Sequence, residues 1–257
     1  LRLVTSGCSY TCGWPAKELS YEEHVSGIEN YWSWPYWVAK KLNIEQISFA
    51  QGGWNNVEIC ESIIFNRDLL ELDDYIIVQL SYFNRIPKYI KNIDKDNIHL
   101  FFYIISLKSV INLIDFLELN NFKYLILNSL DTFNLKIKDN ECYYKEYHIY
   151  QPENFKSNKF FQFEELLFSN DIDNTLFLCN NEWHIKQNKY IRLAESVINN
   201  SKYISNDIHL PYLKEKGIEL ENDNTYFFNK IKGKVNNHCN ERGAKLWADK
   251  VIELMKI

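Results

Sequence analysis

A mainly parallel β-sheet covered by helices on both faces is the fold class this sequence predicts, and three observations predict it. Short apolar runs rich in β-branched residues alternate with stretches whose apolar residues recur at helical spacing. Clusters of Gly and Asn stand directly after several of the runs, where a chain must turn. The alternation of strand and helix signals continues along the chain, which is the pattern of a parallel sheet with functional loops beyond the carboxyl ends of its strands. With 257 residues, 46% of them hydrophobic, the chain can bury one large core, and we read 1–257 as a single domain.

Taken in order, Leu1 to Ser6 is apolar, partly β-branched and ends at Gly7, as a short buried strand entering a turn does. Pro35 opens a helical stretch through Leu42, since proline is tolerated in a first turn. Glu45 to Ala50 reads as the second strand. After Gly52 and Gly53, Asn55 or Asn56 can cap a helix that shows Ile59, Cys60, Ile63 and Ile64 on one face. Tyr75 to Leu80 is a third strand. Leu107, Val110, Ile111, Ile114 and Leu117 mark an amphipathic helix, followed by the apolar run Tyr124 to Leu127. Leu176 to Cys179 reads as a further strand, and Tyr190, Leu193, Ala194 and Val197 as a helix face. A last helix is capped by Asn240 and aligns Trp247, Val251, Leu254 and Met255. The Asn-, Lys- and aromatic-rich segment 133–173 fits neither a clean strand nor a long helix, and is read as an insertion near the functional face.

Composition excludes several classes of function. The net charge is −5, with Lys and Arg dispersed among Asp and Glu, so no basic stripe is available for a phosphate backbone and nucleic acid is not expected as a partner. No apolar run approaches the roughly 18 residues of a membrane span. The first residues lack a basic region followed by a signal-type apolar core, which makes a cytoplasmic protein the expectation. Six cysteines form no CxxC pair, and six histidines show no HExxH. Free thiols, no bound metal and no cofactor are therefore expected.

Candidate chemistry concentrates at the two ends of the chain. In Val4-Thr5-Ser6-Gly7-Cys8-Ser9-Tyr10-Thr11, a strand and a glycine turn present Ser9 at a strand's carboxyl end, where a substrate can reach it. Either Ser9 is a nucleophile, or Ser9 or Thr11 only caps the next segment. Cys8 is the rival nucleophile, but adjacent residues alternate in direction, which turns Cys8 away from the side that presents Ser9. At the other end, His238 stands on a predicted loop just before the capped last helix, where an imidazole can take a serine proton and return it to a leaving group. Between them, Gly52 and Gly53 offer backbone N–H groups, and Asn56 or Asn84 side-chain donors, to an oxyanion. Each has a plainer role open to it: a tight turn, an N-cap, a polar loop. Arg85 can grip an anionic substrate group. Trp14, Trp32, Trp34 and Trp54 offer flat apolar faces suited to sugar rings.

Four of these blocks together resemble the SGNH (GDSL-type) hydrolases, particularly the divergent bacterial and phage members that begin with a GCS[FY]T block and end with D-G-H-P-N-E-x-G. Here the first block is Gly7-Cys8-Ser9-Tyr10-Thr11, the second runs from Gly52-Gly53 to Asn56, and the last is His238-Cys239-Asn240-Glu241-Arg242-Gly243. The resemblance implies a three-layer α/β/α sandwich around a mainly parallel, flavodoxin-like sheet. It implies Ser9 as nucleophile and His238 as base, with the Ser9 amide, Gly53 and a third-block asparagine as oxyanion donors. The family's third block is GxND, whereas this chain reads Leu80-Ser81-Tyr82-Phe83-Asn84-Arg85, making Asn84 the candidate and Ser81 the alternative.

The second departure concerns the acid, which the family places two or three residues before its histidine. Those positions here are Asn236 and Val235. Asn236 can orient an imidazole by accepting from Nδ1–H, but a neutral partner stabilises imidazolium less, and an Asp-to-Asn change in one serine protease triad costs about 10⁴ in kcat. Asp207-Ile208-His209 has the missing spacing, but Pro211 is expected to break that segment, and His209 ranks below His238. The resemblance implies a serine esterase acting through an acyl-enzyme on Ser9. Tryptophans at the expected mouth, including Trp54, favour a glycan over a lipid; Asn56 and Arg85 are further candidate substrate contacts, and the expected substrate is a small O-acyl group, such as O-acetyl, on a carbohydrate. The alternatives are an O-acyltransferase using the same site and a catalytically inactive glycan-binding or structural module.

Overall fold

The computed structural model describes residues 1–13, 30–82, 85, 95–128, 135–138, 141–144, 147–150, 204–205, 209–221, 227–231 and 234–256. A five-stranded parallel sheet organises them, built from β1 (Arg2–Ser6), β2 (Glu45–Ser48), β3 (Tyr75–Gln79), β4 (Lys123–Leu127) and a short strand Ile204–Ser205, in the order β2-β1-β3-β4 and then that last strand. Counted within this sheet alone, the order is 2-1-3-4-5, the doubly wound order of flavodoxin-like folds. All strands run the same way, but the order in which the chain adds them reverses between β1 and β3: β2 is laid down on one side of β1, and β3 and β4 on the other. The crevice beyond the carboxyl ends of those two strands is where such a sheet opens to a ligand.

The apolar runs became strands because both faces of the sheet are covered. Leu3, Val4, Ile76, Ile77, Val78, Ile126 and Leu127 are all fully buried, so a continuous apolar stretch, instead of an alternating one, is what each strand requires. Two polar side chains show that helices lie on both sides. Ser6 donates from Oγ to the Ile59 carbonyl of helix α3 (Asn56–Phe65) at 2.9 Å. Val78 pairs with Ser6 in register, so the next residue, Gln79, points to the other side. There it meets helix α2 (Trp34–Leu42) through Trp34 and helix α5 (His209–Glu221) through His209. Helix α4 (Lys95–Leu119) packs on α3, and the last helix α6 (Glu241–Met255) packs on α2.

Local chemistry accounts for the helix ends. Asn55, not Asn56, caps α3. Its side chain accepts from the Val57 and Glu58 amides while Glu58 reaches back to the Asn55 N–H, a closed capping box. Asn240 caps α6 by accepting from the Gly243 amide at 3.0 Å. Trp247, Val251 and Met255 on that helix are buried, as its periodicity requires.

Three expectations need correction. The segment 133–173 was expected to hold no clean strand, yet it contains β5 (Leu135–Lys138), β6 (Glu141–Tyr144) and β7 (Tyr147–Tyr150), which pair as a separate antiparallel sheet with β7 against α4. Four-residue strands with mixed Lys, Glu and Tyr carry too little alternation to be seen as such. His238 does not stand on a loop. It belongs to β10 (Lys234–Cys239), which pairs antiparallel with β9 (Phe228–Ile231), β8 being Ile204–Ser205 above. Pro211 does not break its segment, because it falls in the first turn of α5, where no intrahelical N–H bond is lost. The strand expected at 176–179 and the helix face at 190–197 lie outside the described residues. No helix among the described residues is long and apolar enough to cross a membrane.

Candidate active site

β1 ends at Ser6, and the chain passes through Gly7 and Cys8 into a single helical turn α1 (Ser9–Cys12). Gly7 is required by close approach. A Cβ there would stand 2.0 Å from Thr11 Oγ1 and 2.6 Å from Thr11 Cβ, so only glycine lets the turn fold back with the threonine inside it. Cys8 is fully buried in the core, as its alternation with Ser9 predicts. Ser9 and Thr11 lie inside α1, whose N-cap residue Cys8 makes no side-chain cap bond, and Thr11 Oγ1 donates 2.5 Å to Gln79 Oε1; the following segment, which either was expected to cap as the alternative, lies outside the described residues.

Ser9 faces His238. Their side chains meet at 2.9 Å, Ser9 Oγ to His238 Nε2, across 229 residues of sequence, in a half-buried position. Pairing between β9 and β10 slips register between Val235 and Cys239, the interval that contains His238. Such an irregularity bends a strand and re-aims a side chain. Tyr10 lies flat on the His238 imidazole, with ring centroids 4.4 Å apart and planes 10° apart. Burial drives the Tyr10 hydroxyl pKa upward, with nearby Tyr82 adding to the rise and Arg85 opposing it. Tyr10 is thus a neutral wall for the imidazole.

The last block is held just as closely. Gly243 brings the start of α6 against Phe227, where a Cβ would lie 2.4 Å from the Phe227 carbonyl oxygen. The Asn240 amide donates to that same carbonyl at 3.0 Å. The glycine and asparagine of His238-Cys239-Asn240-Glu241-Arg242-Gly243 therefore fix the exit from β10, one residue beyond Cys239.

The second block is laced to the first. Phe49 N–H donates to Thr5 O at 2.8 Å and Gln51 N–H to Gly7 O at 3.1 Å, bringing the Gly52-Gly53 turn alongside the Ser9 turn, with Gly53 at a φ of 95°. Asn56 is fully buried. Its Nδ2 donates to the Ser81 carbonyl at 3.1 Å, and its Oδ1 accepts from the Ser81 amide at 2.6 Å. Its carboxamide therefore joins the second block to the third and does not line an open surface. Ser81 is itself buried, with its hydroxyl accepting from Arg85 Nη1 at 2.9 Å. Trp54 is half-buried on the same turn. Trp34 is not at a mouth but in the core, 1% exposed, with its indole N–H donating to Gln79 Oε1 at 2.7 Å. An indole whose N–H finds a buried acceptor can be core. Asn84 and Trp14 lie outside the described residues. Asn236 lies on β10 two residues before His238.

Beneath the pair is a buried group whose connection, and whose member Gln79, the sequence did not reveal. Gln79 Nε2 meets His209 Nδ1 at 3.0 Å, and His209 Nε2 meets Cys239 Sγ at 3.3 Å. His209 stacks on Trp247 at 4.3 Å and meets the Tyr10 ring edge-on at 6.3 Å. Burial, followed by the proximity of His238, depresses the His209 pKa to about 3. Burial also pushes the Cys239 thiol up to about 12. Both groups are neutral at ordinary pH. The signal that could have found Gln79 is a polar residue closing the otherwise apolar strand Tyr75-Ile76-Ile77-Val78-Gln79. Among the described residues, Glu71, Asp73 and Asp74 come close enough to share a cation, but they lie at the opposite ends of the strands, where Arg2 bonds to Asp74 and Glu71.

Comparison with known proteins gives likeness of structure. No family model matches the sequence, and no curated protein does. The chain is similar to a protein assigned to the lipolytic G-D-S-L family from Desulfitobacterium hafniense DCB-2, with a TM-score of 0.49 at 13% identity over 98% of each chain. It is also similar to a member of the lipolytic protein G-D-S-L family from Veillonella parvula DSM 2008, with a TM-score of 0.47 at 10% identity over 98% of this chain and 96% of that one. The acetyl xylan esterase AlAXEase gives a TM-score of 0.46 at 13% identity over 98% of each chain.

Proposed function

We propose that this chain is a serine ester hydrolase with Ser9 as nucleophile and His238 as general base. The observation that carries the reading is the 2.9 Å approach of Ser9 Oγ to His238 Nε2, between two blocks that the sequence singles out separately. With the imidazole proton on Nδ1, Nε2 takes the Ser9 proton as Oγ attacks the ester carbonyl carbon. The carbonyl oxygen becomes an oxyanion, for which the Ser9 and Gly53 amides and Asn84 are the proposed donors. Collapse expels the alcohol, which leaves with the proton from His238, and an acyl group remains on Ser9. Water, deprotonated by the same nitrogen, then attacks the acyl carbon and releases the acid, and the proton returns to Ser9. Asn236 is the residue proposed to orient the imidazole from the Nδ1 side.

A small O-acyl group on a carbohydrate, O-acetyl in particular, is the substrate we propose. Trp54, half-buried on the turn laced to Gly7, supplies an aromatic face suited to a sugar ring, and Arg85 a cation on the third block for an anionic group.

A fluorophosphonate probe and an aryl acetate test the reading. Wild type should be labelled, and Ser9→Ala should abolish labelling. His238→Ala should slow it by about 10²- to 10⁴-fold, the usual contribution of a general base. Labelling that survives Ser9→Ala sinks the nucleophile assignment. With an acetylated glycan, free acetate supports hydrolysis, whereas acyl transfer to a second sugar identifies an O-acyltransferase. Glycan binding by a wild type that neither labels nor turns over identifies an inactive module.

A further inference from the structure

The polarity of the buried group beneath the site can be deduced. An indole N–H only donates, so the Gln79 atom that Trp34 meets at 2.7 Å is the carbonyl oxygen, the same atom that accepts from Thr11. The far side of the Gln79 carboxamide is then its NH₂ group, a donor. His209 Nδ1, 3.0 Å away, must accept, which puts the imidazole proton on Nε2, where it donates to Cys239 Sγ. Every link has a fixed direction, and every member is uncharged.

The ends of this series matter more than its middle. Thr11 is two residues from Ser9, inside the same helical turn, and Cys239 follows His238 directly on β10. The two reacting side chains come from opposite ends of the sequence, on elements that share no strand pairing: β1 lies in the parallel sheet, and β10 pairs with β9. We propose that the buried series Thr11, Gln79, His209 and Cys239 is the positioning device of the Ser9–His238 pair, tying the turn that carries the serine to the strand that carries the histidine. Gln79 and His209 are positioning residues, a role that rests on the reading of Ser9 and His238 as the reacting pair. Tyr10 reinforces the tie, with its face on His238 and its edge toward His209.

Neutrality is part of the design. Protonation of His209 Nδ1 would set an N–H against the Gln79 N–H, so the bond to Gln79 exists only while His209 is uncharged. A second imidazolium so close to His238 would also oppose the charge that His238 must accept during acyl transfer. A buried bond in this series, once broken, leaves its partner unsatisfied, and the loss acts on the separation of the reacting atoms.

Three variants and two readouts test it. His209→Phe keeps a ring against Trp247 but removes both bonds. Cys239→Ala removes the terminal acceptor, and Cys239→Ser restores one. Folded His209→Phe should show kcat for an aryl acetate and the fluorophosphonate labelling rate both lowered about 10- to 100-fold, with KM within about twofold, because a misplacement on the order of 1 Å costs about that much. Cys239→Ala should lose roughly 5- to 10-fold, and Cys239→Ser should recover to within about threefold of wild type. Should His209→Phe fail to fold, the Cys239 pair decides. Cys239→Ala or folded His209→Phe labelling at the wild-type rate overturns the proposal. The second readout needs no turnover. ¹⁵N-histidine NMR of wild type should show His209 as the neutral Nε2–H tautomer from pH 7 to pH 5, and a proton on Nδ1 in that range overturns the series. A wild type that does not label at all removes the proposed function, and the His209 spectrum still decides whether the buried tie has the stated polarity.

Discussion

The two ends of strands β1 and β3 solve the same problem with opposite chemistry. At their amino ends, polar groups are ionised and paired: Arg2 Nε and Nη2 each lie 2.8 Å from a carboxylate oxygen of the fully buried Asp74, and Nη1 lies 3.0 Å from Glu71. At their carboxyl ends, polar groups are just as buried but carry no charge, running from Thr11 through Gln79 and His209 to Cys239. In the proposed reaction His238 is neutral first and charged later, so a fixed charge beside it would bias the imidazole in one direction throughout, whereas neutral hydrogen bonds fix position without that bias.

The largest effect expected from breaking this contrast is on stability, at the ionic end. Arg2→Met leaves the Asp74 carboxylate buried and unpaired, which should cost about 3 kcal/mol in urea unfolding. The folded fraction should still be labelled by a fluorophosphonate within about twofold of the wild-type rate, since the two groups lie at opposite ends of the strands. A loss of labelling as large as that from His209→Phe would show that the ionic end positions the site too.

The next effect should appear in both measurements. Gly7→Ala drives a methyl group into Thr11, whose Oγ1 would lie 2.0 Å from it. Overpacking of this kind costs about 2 kcal/mol. Because the displaced residue is the first member of the neutral series, labelling should also slow about 10-fold. Gly7→Ala with a wild-type labelling rate would separate the turn from the series and leave Gly7 a purely steric requirement.

These two ends also differ in how far the sequence revealed them. β1, β3 and β4 were legible because both of their faces are covered, so burial wrote itself as unbroken apolar runs. The blocks that carry Ser9 and His238 were legible through glycines and an asparagine around them, and the structure gives each of those a physical cause: Gly7 against Thr11, Gly243 against Phe227, Asn240 accepting from the Gly243 amide of α6. β10 was not, because Lys234-Val235-Asn236-Asn237-His238-Cys239 has neither apolar continuity nor alternation, and only its pairing with β9 makes it a strand. His209 ranked below His238 in the sequence because Pro211 suggested a break, and local sequence says nothing of Gln79, 130 residues away, which holds it. Local periodicity records which residues are buried. It does not record which buried polar groups find one another.

The smallest effect is the most specific to the neutral end, and it is set by pH. His209 has an ordinary pKa of 6.5 that the fold lowers to about 3, first through burial and then through His238. The sign follows from proton counting. Between those two values the unfolded chain binds a proton at His209 that the folded protein does not, so acid favours unfolding. The stability associated with this group is fully present above pH 6.5, falls as pH drops below it, and levels off only near the folded value of about 3. One group contributes at most about 1.4 kcal/mol per pH unit, so acidification from about pH 6.5 to 5.5 should remove about 1 kcal/mol. Urea unfolding at a series of pH values reads this directly, and the same series on His209→Phe should be flatter by that amount. Parallel curves for the two proteins would mean that His209 takes up a proton without unfolding, in which case Gln79 could not be donating to it and the carboxyl end of the sheet would be no more neutral than the amino end.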